Sequence, residues 1–259
     1  MMAPSAPPLE AIGSEPNSNY VGFVVSLSPT SRSEPIMAKL PAIDASEGLR
    51  RIINERINCD DKGNFIIAGV SEADFRQLIE YLETKSLHFR DQNHRLQIFA
   101  VAKQYNCSEL QIYCLREVDA SLNVSNVIEV YRTLWFYGSL TSQKNPFDKK
   151  LNKGKNKQTT ATATAATITP EEYLTYLVYN VLQFINMNAE SVLLSDDIDQ
   201  LTFKELENLV KQDDLILNSE MVLINALTKW SREECRRKNI ELSPENERQV
   251  LGELCYAPR

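Results

Sequence analysis

The chain has 259 residues, 43% of them hydrophobic and 24% charged, which is enough for one large or two ordinary domains, each with its own core. Its 28 basic and 35 acidic residues leave a net charge of -7, which argues against a nucleic-acid surface spread over the whole protein. Five cysteines without a CxxC pairing argue against a disulfide framework or a zinc ribbon and read as reduced thiols in or near helical cores. There is no run of eighteen apolar residues, and the opening MMAPSAPPLEAIGSEPNSN has neither a basic region nor an apolar one. The expectation is an unanchored intracellular protein, cytoplasmic with a nuclear share as the alternative.

Residues 1–19, rich in Pro, Ser and Asn, hold too little apolar surface to offset the entropy of ordering and are expected to form a disordered tail. The composition changes at Tyr20. The run YVGFVVSL and the run NFIIAGV at 64–70 are β-branched and aromatic, as strands require. Between them ASEGLRRIINERI reads as an amphipathic helix with Leu49, Ile52, Ile53 and Arg56 around one side. Ser71 followed by Asp74 is an acidic variant of an N-terminal cap, and Phe75, Leu78, Ile79 and Leu82 then trace an i, i+3, i+4, i+7 stripe. Three more helices are carried by Leu96 to Ala102, by Leu110 to Val118 and by Val127 to Leu134.

The periodicity stops near Gly138. SLTSQKNPFDKKLNKGKNKQTTATATAATI mixes Lys, Asn and Gly with a Thr/Ala repeat, so 138–169 is expected to be a flexible insertion. Its lysines at 144, 149, 150, 153, 155 and 157 form the one dense basic stretch, readable as a solvated linker or as a nuclear-import or nucleic-acid-touching segment. Thr169, Pro170 and Glu172 then make a capping box with Pro at the first helical position. A long helix follows through Leu174, Leu177, Val178, Val181, Leu182 and Ile185, with further helices near 202–211 and 218–236 and a last one opened by Ser243-Pro244. The second half shows no strand signal.

These residues resemble a family. FRQLIEYLETKSLHF followed by LQIFAVAKQYNCSELQIYCLREV resembles the second half of a BTB domain, with Ala102-Lys103-Gln104-Tyr105 at the junction of a helical pair. From Asn180 the chain resembles a BACK domain more closely, through Phe184-Ile185 before Asn188, Leu201, Leu206, Asp214-Leu215, Ser219-Glu220 and Trp230. Glu234-Cys235-Arg236-Arg237, Asn246-Glu247-Arg248 and Leu251-Gly252 are similar to the branch whose relatives carry a C-terminal PHR domain, a β-sandwich absent from this chain. The fold implied is mainly α: a tail at 1–19, a degenerate α/β BTB-like domain at 20–137, the insertion, and an all-α BACK domain at 170–259. The first half departs from the family, which places an acidic residue before a strand and a His-containing helix start where this chain has Asn19-Tyr20-Val21-Gly22-Phe23 and Ser33-Glu34-Pro35-Ile36. Those positions serve dimerisation in the family, and the insertion interrupts the helical pair that helps its members grip a cullin.

The resemblance implies a non-enzymatic adaptor or scaffold of a cullin-RING ubiquitin ligase. Its partners would be a cullin scaffold protein and a protein substrate, with homo- or hetero-oligomers formed through the BTB half. Ile53-Asn54-Glu55 fits the hydrophobic-x-acid element that faces the cullin in relatives, and Tyr105 matches the tyrosine of a second cullin-facing loop, where an aromatic supplies apolar area with a polar tip. A helix-end tyrosine packed for stability is the plain alternative. A ligase-independent regulatory protein that oligomerises through BTB, or joins transcriptional complexes, is the other functional class. No cofactor, metal or membrane is expected. His88 and His94 are the only histidines and lie in no catalytic motif, Cys107 and Cys114 are better read as core than as a metal pair, and no phosphate-binding glycine loop occurs.

Overall fold

A computed structural model of the chain describes residues 19–26, 32–141, 168–212 and 214–257. Residues 1–18 of the tail expected at 1–19 and almost all of the insertion, including its six lysines, lie outside the described residues. The chain divides into two compact units, residues 1–87 and residues 88–259. The fold is mainly helical with one small sheet, as the sequence predicts.

The first unit is built on a three-stranded sheet of order β2-β1-β3. Its strands are β1 (Tyr20–Val25), β2 (Ile36–Lys39) and β3 (Phe65–Ile67). β1 runs antiparallel to β2, with Val21 opposite Ala38, and parallel to β3, with Val24 opposite Ile66. A central strand is covered on both faces, and β1 is buried from Val21 to Val25. Its Phe23 ring meets Phe65 at 6.0 Å and, edge-on, Phe75 at 5.4 Å. Phe75 belongs to α3 (Glu72–Thr84), whose N-cap Ser71 accepts a hydrogen bond from the Asp74 N–H. That helix buries the predicted stripe Phe75, Leu78, Ile79 and Leu82.

Three local outcomes differ from the sequence pattern. Periodicity assigns nothing to 36–43, where β2 is followed directly by α1 (Leu40–Ile43), a single turn with Pro41 at its start. The helix expected over ASEGLRRIINERI is shorter, α2 (Glu47–Asn54), because Arg56 and Asn58 take left-handed backbone at φ 50 and 52 and close the segment toward β3. β3 likewise stops at Ile67, ahead of Gly69 at φ 76.

Gly22 is placed where the strand passes close to Asn64. A Cβ there would collide with the Asn64 side chain, whose amide donates to Asp60 and is not free to swing away. Gly22→Ala is therefore expected to destabilise the protein by about 1 to 3 kcal/mol. Chemical denaturation checks it, and Gly22→Ala combined with Asn64→Gly should recover most of the loss.

The second unit holds α4 (Gln92–Gln104), α5 (Ser108–Ala120), α6 (Val127–Thr141), α7 (Pro170–Met187), α8 (Ala189–Leu193), α9 (Phe203–Val210), α10 (Glu220–Arg237) and α11 (Pro244–Leu251). Two 3-10 turns, Asp196–Gln200 and Gly252–Tyr256, complete it, and no strand occurs among its described residues. α6 continues past Gly138 to Thr141. Two helix starts fall where caps were read: Thr169 forms a capping box with Glu172, and Ser243 accepts from the Asn246 N–H ahead of α11, while Thr202 adds a second capping box with Glu205. Helices on both sides of the 142–167 stretch pack as one body. α5 and α6 both lie against α7, the Asn180 amide reaches Asp119 at 3.1 Å, and the Tyr131 hydroxyl donates to the Glu205 carbonyl at 2.9 Å.

Candidate protein-interaction site

Residues 53–55 end helix α2. Ser46 caps that helix by accepting from the Leu49 N–H, and Leu49 is its single buried anchor. The remaining face is open. Ile53 is half-buried and Glu55 is exposed, and the Glu55 carboxylate takes a 3.0 Å ion pair from Arg51 one turn back. Both partners are exposed, so this pair orients Glu55 more than it stabilises the helix. Ile53 lines a shallow groove of about 220 Å³ between α1 and α2, with Leu40, Pro41, Ile43, Asp44, Arg50 and Asn54. The groove is a consequence of the single-turn α1. Pro41 starts the turn, Asp44 ends it, and the chain re-enters a helix at Glu47, leaving two short helices side by side.

Tyr105 lies in the second unit, at the C-terminal end of α4, and is 5% exposed. Burial pushes its hydroxyl pKa up to about 12, so it stays neutral at physiological pH. The apolar ring area that the resemblance offered to a partner is packed inside the unit. The structure therefore brings Ile53 and Glu55 together at one helix end and places Tyr105 in the other unit. Sequence reasoning passed over Leu40, Pro41, Asp44 and Arg50. The one signal for them was the Lys39-Leu40-Pro41 sequence, with Pro at a helix start.

The histidines and thiols have structural places. His88 is exposed. His94 is buried, accepts from the Arg90 N–H at 3.2 Å and meets the Phe89 ring edge-on. Cys107 and Cys114 are buried at the start and on the inner face of α5, and burial pushes the Cys114 thiol far up, so it is no thiolate. Among the described residues no cluster of three metal-ligating side chains occurs, and no helix is long and apolar enough to cross a membrane.

In the second unit, the motif residues from Asn180 onward hold the helices together. Asn188 returns its amide to the Phe184 carbonyl at 2.9 Å to end α7, and Ile185, Leu201 and Leu206 are fully buried. Ser219 caps α10, and the fully buried Trp230 donates its indole N–H to the Leu201 carbonyl at 2.8 Å. The later motif extends this frame. Arg237 lies over the Trp230 ring at 5.8 Å, Glu234 pairs with Arg237 and Lys238, and Gly252 turns the chain after α11 at φ 52.

The described residues thus hold a small sheet-and-helix unit with an exposed helix-end element, followed in sequence by a helical unit organised around Trp230. Comparison with known families gives the class that the chain resembles: residues 166–243 match the BACK (BTB And C-terminal Kelch) family, and the relatives it is similar to are BTB/POZ domain-containing proteins. It is 25% identical to human BTB/POZ domain-containing protein 3 over 200 residues, 77% of this chain and 31% of that protein. To BTB/POZ domain-containing protein 6 of Xenopus tropicalis it is 23% identical over 239 residues, 92% of this chain and 38% of that protein. The chain thus spans about a third of the length of the curated relatives it matches.

Proposed function

We propose that this protein is a substrate adaptor or scaffold of a cullin-RING ubiquitin ligase. It acts by holding two proteins near each other, with no bond chemistry of its own. The observation that carries this reading is the placement of Ile53 and Glu55: an apolar side chain at the edge of a groove and an exposed carboxylate two residues on, at the end of one helix. In this reading the BTB-like half at 20–137 meets the cullin, and the BACK half at 170–259 sets the distance to the substrate. The likeness of Glu234 to Gly252 to the PHR-linked branch supports placing the chain nearest to that branch. Pull-down of purified cullin by the full chain tests the proposal. Capture by the natural chain, and its loss on joint Ile53→Ala and Glu55→Ala substitution with an unchanged melting temperature, is the expected result. Capture undiminished in the double variant would remove these residues from the interface, and no capture by the natural chain would remove the cullin.

A ligase-independent oligomerisation protein is the second reading. It draws on β2, an edge strand of the sheet with Met37 54% exposed, which offers pairing to a second chain. Light scattering on the natural chain and on Met37→Lys distinguishes it: a dimer that the substitution splits supports this reading, and a monomer at all concentrations opposes it.

A further inference from the structure

β2 is an outer strand of the sheet, so one of its sides pairs with no strand among the described residues. The register fixes which groups lie there. Leu40 donates its N–H to the Asn19 carbonyl, with Ala38 opposite Val21 and Ile36 opposite Phe23, so the even-numbered residues bond toward β1. Met37 and Lys39 therefore turn their backbone N–H and C=O groups outward. Prolines at 35 and 41 bracket the strand, which leaves these two residues as its outward N–H donors. One of the two is already taken. The Lys39 N–H donates to the Glu83 carboxylate at 3.0 Å, from the last turn of α3. A backbone N–H held by a carboxylate makes a charge-assisted bond, stronger than a neutral one.

We infer that Glu83 is a stopper on the β2 edge: its carboxylate holds the Lys39 N–H and keeps a second copy of this chain from adding its own β2 there. The inference rests on the reading of β2 as a pairing edge and adds the residue that controls it. A second copy is the fitting occupant because the edge is self-complementary: turned about a twofold axis, β2 meets its own spacing of donors and acceptors. Each copy then gives the other its Met37 and Lys39 N–H groups. Glu83 withholds the Lys39 donor in both copies and sets a carboxylate where the incoming strand must lie. The exposed Met37 side chain stays available, so the bond to Glu83 is the part of the edge that a substitution can open.

The test uses the full chain in its natural form and as Glu83→Ala, Glu83→Gln, and Glu83→Ala joined to Met37→Lys, each followed by sedimentation velocity over a concentration series. Glu83→Ala is expected to form a discrete dimer about tenfold more tightly than the natural chain, because a charge-assisted bond in each copy no longer competes. Glu83→Gln, whose amide oxygen still accepts from the Lys39 N–H, should stay within about threefold of the natural chain. Adding Met37→Lys to Glu83→Ala should return it to monomer, an outcome that aggregation of a misfolded variant does not give. Amide exchange is the second readout: in the natural monomer Lys39 should exchange more slowly than Met37, and dimerisation of Glu83→Ala should slow both. Self-association unchanged or weakened in Glu83→Ala, an equal gain in Glu83→Gln, a dimer that Met37→Lys leaves intact, or equal exchange of Met37 and Lys39 in the natural monomer would overturn the inference. A natural chain that dimerises through β2, with Glu83→Ala no tighter, defeats this inference alone. A natural chain that stays monomeric while Glu83→Ala pairs through β2 supports the inference and defeats the reading of the natural chain as an oligomer.

Discussion

Trp230→Ala is expected to lower the stability of the second unit by about 3 to 5 kcal/mol, the range for removing a fully buried aromatic. The indole is 0% exposed, with Phe203 against it at 6.3 Å and the Arg237 guanidinium over its face. It also donates to the Leu201 carbonyl at 2.8 Å, at the point where the 3-10 turn hands the chain to α9. Alanine leaves both a cavity and that buried carbonyl without its donor, and the second loss adds to the first. Urea denaturation followed by circular dichroism gives the size of the effect. Amide exchange should show the loss of protection concentrated in α9 and α10. Trp230→Phe helps separate the two contributions, since it keeps most of the ring area and loses the donor together with a smaller volume. An unchanged melting transition in Trp230→Ala would refute the role of Trp230 as the centre of this core.

Phe23→Ala is expected to have a comparable effect on the first unit, again about 3 to 5 kcal/mol. Phe23 is 0% exposed on the central strand and joins two other rings, Phe65 on β3 and Phe75 on α3. It therefore ties the parallel strand pair to the helix that covers it. A unit of this size has few such anchors, so one cavity removes a large share of its margin. The variant should lose amide protection across β1, β3 and α3 before the second unit is affected. Protection retained in those three elements would show that the sheet is held by other contacts. The partner-binding experiments depend on this core, because α1 and α2 follow directly from β2.

Much of the helical half was legible from local signals. The caps at Thr169 and Ser243 are short-range hydrogen bonds between residues three positions apart, and such bonds are written in the sequence itself. The stripe of α3 was legible for a similar reason, since one buried face repeats every 3.6 residues. Tyr105 shows where this breaks down. Its sequence neighbourhood marks a helix end, but whether its ring meets solvent or core depends on what packs beside it, and it is 5% exposed.

The sequence by itself determined the mainly helical class and the starts of α3, α7 and α11, and its resemblance marked the BACK motif around Trp230. These rest on periodicity, caps and motif residues that act over a few positions. Only the tertiary structure decided that β2 and α1 exist, that the helices before and after the 142–167 stretch form one unit, and that Asp44 and Arg50 face one groove. β2 is a strand because β1 lies beside it to accept and donate its hydrogen bonds, and α1 is a turn placed by that strand. Pairing of this kind is long-range, and no window of neighbouring residues contains it.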